Sequence, residues 1–97
     1  MSSWNNNSYP FDATSIHIYA PNQSGVYALH DSQRWIYVGE TENLHDRLMQ
    51  HVNGDNACVT RQRPTHFSFE LWPGQQRVRR QDQLIVELGP SCNQRLG

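Results

Sequence analysis

The chain has 97 residues, 36% apolar and 10% aromatic, with a formal charge of −1. That suffices for one small domain with a modest core and excludes two. No run approaches the roughly 18 apolar residues of a membrane span, and the opening MSSWNNNSYPFDATS has neither the basic nor the apolar segment of a signal peptide. A cytoplasmic protein with no membrane partner is therefore expected.

Charge is unevenly spread. Residues 1–46 hold one Arg against five acidic residues, residues 47–97 hold seven Arg against four, and Lys is absent. Arg61, Arg63, Arg77, Arg79 and Arg80 fall in a twenty-residue window whose only acidic residue is Glu70. Such a window is either a solvated surface or a phosphate-binding face, since guanidinium binds phosphate in a planar, bidentate way that ammonium does not. Two cysteines, Cys58 and Cys92, make no disulfide framework and are expected as free thiols; no CxxC or HxxxH spacing supports zinc.

Taken in order, residues 1–20 read as a partly flexible, polar N-terminal extension in which SIHIYA could form an extra strand at a sheet edge. Ser24 to His30 alternates and is rich in Val, Tyr and Leu, which predicts a strand; Asp31-Ser32-Gln33 is a turn, and Arg34 to Gly39 a second, antiparallel strand. Asn43 is a helix N-cap with Asp46 in the first turn. Leu44, Leu48 and Val52 give the apolar stripe of a helix ending near Asn53-Gly54. Asp55 to Thr65 reads as loop. His66 to Trp72 alternates, with Phe67, Phe69 and Leu71 on one face. A last helix runs from about Gln75 to Leu88 and stops at Gly89-Pro90. The result is an α+β domain over residues 21–97, a β-β-α-β-α core with a small three-stranded antiparallel sheet flanked by helices.

Within this frame Arg47 and His51 share a helix face offset from the apolar stripe, and both are expected to reach a partly exposed cleft. Tyr27 and Tyr37 lie on neighbouring strands, each next to a triplet glycine, Gly25 or Gly39, that lets another backbone or a ligand approach. Such a set suits phosphodiester hydrolysis, which needs a group to handle the attacking water, a cation for the phosphoryl charge, and an acid or metal at the leaving oxygen. The same residues also fit an ordinary sheet with a surface ion pair.

The motifs Gly25-Val26-Tyr27, Tyr37-Val38-Gly39, Thr41-x-Asn43-Leu44-x-x-Arg47-Leu48-x-x-His51 and Leu84-Ile85…Pro90-x-x-Asn93 occur in order, and together they resemble the GIY-YIG nuclease family from about Ser24 to Asn93. The resemblance implies a DNA endonuclease dependent on a divalent metal, Mg or Mn; separately, a monomer or weak homodimer is expected. The resemblance makes Tyr27 the water-activating or water-positioning group, with Tyr37 in the same pocket. Arg47 becomes the ligand of the scissile phosphate and His51 a neighbour of the reacting groups. Gly39 and Asn93 become structural residues beside the site, and the arginine window a nucleic-acid contact.

One position departs. The family's metal-binding Glu falls three residues before the Leu-Ile pair, where this chain has Gln81. Val78, Leu84, Ile85 and Leu88 define an apolar face on which Gln81 is near the centre, so its side chain is expected to point toward the sheet and the tyrosines. Asp82, about 100° round the helix, is expected to point elsewhere; Glu40 is closer to the cleft. Hard cations prefer charged oxygen ligands, and losing the metal's Lewis-acid role costs on the order of a thousandfold in rate. Cleavage is thus expected to be weak or absent. A catalytically inactive nucleic-acid-binding module stays open as the alternative, and a purely structural domain as a third.

Overall fold

The computed structural model describes Trp4 and residues 7–93. Its elements are β1 (Tyr9–Pro10), α1 (Ala13–Tyr19), β2 (Gly25–His30), β3 (Trp35–Thr41), α2 (Leu44–Val52), α3 (Ala57–Gln62), β4 (His66–Leu71), α4 (Gly74–Leu88) and a closing 3-10 turn (Ser91–Asn93). The strands form one antiparallel sheet in the order β1-β4-β2-β3, so the expected three-stranded sheet gains an N-terminal edge strand.

Strand alternation divides the sheet into two faces. Tyr27, Leu29 and Phe67 point to one, where Ile16 of α1, Leu44 and Leu48 of α2 and Val59 of α3 cover them. Val26, Ala28 and Val38 point to the other, against Trp4 and Leu84 of α4. Asn43 caps α2 by accepting from Asp46 N–H at 3.1 Å, and Gly89 ends α4 in the left-handed region at φ 60°, where glycine carries no steric cost.

Three expectations are corrected. SIHIYA is helix α1, not strand: Asp12 accepts from Ser15 N–H at 2.8 Å and starts it, so Ile16 is buried while Ile18 is 66% exposed. Two described residues of the N-terminal extension pack on the sheet. Trp4 is buried and donates its indole N–H to Ser68 Oγ at 2.7 Å, and the Asn7 amide pairs with both backbone groups of Phe69. The stretch read as loop contains α3, capped by Asn56. Cys58 and Cys92 are joined by a disulfide that ties α3 to the 3-10 turn, so they are not free thiols. Among the described residues no helix is long and apolar enough to cross a membrane.

Candidate active site

The site begins with two glycines. Gly39 stands opposite Tyr27 in the β2–β3 register, and a Cβ on Gly39 would overlap the Tyr27 ring and hydroxyl. A Cβ on Gly25 would overlap the backbone of Glu70 and the side chain of Leu44. The close approach that the glycines permit is therefore internal: the phenol of Tyr27 lies flat over Gly39, and β4 and α2 close on Gly25.

Tyr27 is buried, 1% exposed, and its Oη is 2.8 Å from His51 Nε2. His51 is also buried, the third member of an inward stripe with Leu44 and Leu48, whereas Val52 is only half-buried. This corrects the expectation that His51 faces a partly exposed cleft beside a Leu44/Leu48/Val52 stripe. The Tyr37 ring completes a triangle, with centroids 6.1 Å from Tyr27 and 5.2 Å from His51. Arg47, one turn before His51, is half-buried; it donates to Gln50 Oε1 at 2.7 Å, pairs with Asp55, and lies close enough to the Tyr27 hydroxyl to interact with it.

These surroundings fix protonation. Burial, and then the charge of Arg47, lower the His51 pKa to about 4, so the imidazole is neutral at neutral pH. Burial, and then Tyr37, push the Tyr27 hydroxyl well above the ordinary tyrosine value, although Arg47 pulls the other way. His51 Nδ1 is buried and has no hydrogen-bond partner among the described residues. An orphaned N–H is rarer than an orphaned lone pair, so we assign the ring proton to Nε2, which donates to Tyr27 Oη. The phenol then keeps its own proton for another acceptor.

Beyond Tyr37 the sheet edge opens into a cleft of about 490 Å³, lined by Tyr37, Gln81, Asp82, Ile85, Val86 and Asn93. The Asn93 amide holds the free edge of β3, accepting from Val38 N–H at 2.7 Å and donating to Val38 C=O at 2.9 Å. Gln81 thus reaches the tyrosine side, as expected, at the rim of the sheet and not over its centre. Asp82 lines the same cleft, which corrects the helical-wheel expectation: a cleft at the sheet edge looks along the flank of α4, where both residues project. Gln81 Nε2 is 3.4 Å from Asp82 Oδ1. Glu40 is occupied by Arg77 Nε at 2.8 Å.

The arginine window divides. Arg77 pairs with Glu40 and, at 3.7 Å, with Glu42. Arg80 donates to both Glu70 oxygens, at 2.8 and 3.0 Å, and stacks on Trp4. Both therefore clamp α4 to the sheet. Arg61, Arg63 and Arg79 are exposed. α3 belongs to the tyrosine face and α4 to the opposite one, so Arg61 and Arg63 do not form a single face with Arg79. Asp55 and the Cys58–Cys92 bond escaped the sequence reading; an ion pair across the Asn53-Gly54 turn and a bond between residues 34 apart leave no periodic signal.

An antiparallel sheet presenting paired tyrosines over a triplet glycine, with an arginine and a histidine from the next helix, defines a GIY-YIG-type domain. The sequence matches the family model for the GIY-YIG catalytic domain over residues 23–84, and the chain belongs to this family. The fold is similar to that of the magnesium-bound N-terminal endonuclease domain of UvrC from Thermotoga maritima, with a TM-score of 0.73 and 21% identity, covering 84% of this chain and 96% of that one. A point mutant of the same Thermotoga maritima domain, bound to its catalytic divalent cation, gives a TM-score of 0.74 at 21% identity, over 86% and 96% of the two chains. No curated protein matches the chain in sequence.

Asp82, Gln81 and Tyr37 line the cleft, and these side chains carry hard oxygen donors: a carboxylate, an amide carbonyl and a hydroxyl. Among the described residues no group of three or more His, Cys, Asp or Glu could enclose an ion. The set does not suit zinc, but it fits a hydrated Mg²⁺ or Mn²⁺, which commonly takes only one or two carboxylates from the protein.

Proposed function

We propose that this domain hydrolyses phosphodiester bonds in nucleic acid, DNA foremost, at the cleft between Tyr37 and α4, with weak turnover because Gln81 replaces the family's carboxylate. The observation that carries the reading is the Tyr27–His51–Arg47 cluster packed behind Tyr37, which opens on that cleft. A core has no use for a guanidinium group beside a buried phenol; a site for a phosphoryl group does.

In this reading Arg47 takes the phosphate by charge-assisted hydrogen bonds, exchanging Asp55 for the substrate. Tyr27, a neutral phenol, orients the attacking water by hydrogen bonding instead of drawing its proton as a phenolate. His51 is a positioning residue: neutral, with Nε2 committed to Tyr27 and Nδ1 buried, it fixes the phenol. Tyr37 contacts the sugar-phosphate at the mouth. A divalent metal, when bound beside Gln81 and Asp82, supplies Lewis-acid stabilisation of the leaving oxygen. Arg61, Arg63 and Arg79 remain for contacts along the backbone, so binding weakens with salt. The chain works as a monomer or weak homodimer.

A binding module without turnover is the second reading, favoured by the uncharged Gln81. Supercoiled plasmid with Mg²⁺ or Mn²⁺ separates the two. Nicking by the wild type, faster in Gln81→Glu and lost in Arg47→Ala, supports the nuclease. Cleavage by neither wild type nor Gln81→Glu, with salt-dependent DNA binding retained, supports the module. If neither protein binds DNA, both readings fail.

A further inference from the structure

We propose that Asp82 is the carboxylate that holds a divalent cation in this chain, with the carbonyl oxygen of Gln81 as its neutral co-ligand. The inference deepens the proposed function and rests on the same cleft. Position 81 projects a neutral amide into that cleft, and the adjacent position projects a negative charge into it. The net charge that one Glu would bring is thus delivered by two residues. Gln81 turns its NH₂ toward Asp82 Oδ1, 3.4 Å away. That orientation leaves Gln81 Oε1 as the amide atom with lone pairs to offer, on a side chain that lines the same cleft as Asp82.

Carboxylates elsewhere on the sheet, after α2 and on α4 are committed to arginines. Glu40 is held by Arg77, Asp55 by Arg47 and Glu70 by Arg80. Glu87 lies near enough to Arg80 to stabilise its charge. Asp82 makes no ion pair among the described residues, and its one hydrogen bond there is with the Gln81 amide group, at 3.4 Å. Binding a cation there breaks no existing pair. Tyr37 lines the same cleft, and the Asn93 clamp on Val38 holds the adjoining edge of β3. Carboxylate plus amide carbonyl plus water is an ordinary oxygen set for Mn²⁺, Mg²⁺ or Ca²⁺, and one charge fewer than a two-carboxylate site makes it a weak one.

The test is Mn²⁺ binding by the full chain, followed as loss of the free-ion EPR signal, for wild type, Asp82→Asn, Asp82→Glu and Gln81→Glu. Circular dichroism confirms that each variant is folded. Saturable binding of one Mn²⁺ by the wild type, weakened on the order of tenfold or more in Asp82→Asn and kept in Asp82→Glu, supports the assignment. Tighter binding in Gln81→Glu locates the ion between the two positions. Equal affinity in wild type and folded Asp82→Asn, or no saturable binding by the wild type, overturns it. DNA binding is measured separately in EDTA by fluorescence anisotropy. Loss of that binding with the Mn²⁺ site intact refutes the nucleic-acid reading and leaves the cation site standing; the reverse result refutes only the site.

Discussion

The hydroxyl of Tyr27 and Nε2 of His51 meet at 2.8 Å inside the core, joining the first triplet to the end of α2. Each group gives the other one hydrogen bond in the interior, and burial with the charge of Arg47 keeps the imidazole neutral.

That neutrality is visible in stability against pH. The folded-state pKa of His51 is lowered from 6.5 to about 4, so the unfolded chain binds a proton that the folded one refuses. The contribution is fully present above about pH 6.5 and is lost as pH falls toward 4, with a limiting slope of about 1.4 kcal/mol per pH unit. Urea unfolding of wild type and His51→Gln from pH 7 to 4 isolates it, because His30 and the carboxylates titrate in both proteins. A smaller fall in the variant is expected; parallel curves would show that His51 titrates normally.

Gly39 is the next point of sensitivity. Its missing Cβ is where the Tyr27 ring lies, so Gly39→Ala must push the ring away from a fully packed face. Overpacking of this kind costs about 1–3 kcal/mol. We expect a destabilised fold and a changed His51 ring environment by NMR, since the 2.8 Å contact cannot survive the ring's displacement. An unchanged imidazole shift in Gly39→Ala would separate the glycine from the site.

Much of this was legible in sequence. The β2–β3 hairpin, the Asn43 cap and the Gly89 stop follow from alternation and capping chemistry, which act over a few residues. The resemblance implied one pocket for both tyrosines; in the structure Tyr27 pairs with Gly39, two residues from Tyr37, so the two rings share a face. What failed was non-local or short. Ile16 and Ile18 alternate like a strand, and the one-residue signal of Asp12 decides for helix. Asp82 was misplaced because a wheel describes a helix against a flat sheet, whereas the cleft lies at the rim, beside the edge strand β3.

Arg47 and Asp55 form an ion pair that no periodicity announces. Hydrogen bonding to Arg47, followed by its charge, lowers the Asp55 pKa, so the pair is fully formed at neutral pH. Asp55 is exposed, so solvent screens the pair and its removal should leave stability little changed. Its effect on binding should be larger. Asp55→Asn releases the guanidinium to phosphate, so DNA binding should tighten, and the slope of log Kd against log salt should grow by about one. Arg47→Ala should move the slope the opposite way. Anisotropy titrations from low to high salt read both; an unaltered slope in Asp55→Asn would mean that Asp55 does not compete with substrate.

The Cys58–Cys92 bond fastens α3 to the turn whose Asn93 amide clamps Val38, so its loss loosens the wall of the cleft as well as the chain. Closing a loop between cysteines 34 apart should contribute about 2–4 kcal/mol, mainly by restricting the unfolded chain. Urea unfolding with and without reductant should show a drop of that size in the wild type and none in the double variant Cys58→Ser/Cys92→Ser. Because Asn93 sits at the cleft, reduction should also weaken Mn²⁺ binding in the wild type while leaving the double variant indifferent to reductant. A wild-type midpoint unmoved by reductant would show that the two sulfurs are not joined in solution, and the link from α3 to the cleft would then have to run through the Ser91–Gln62 hydrogen bond alone.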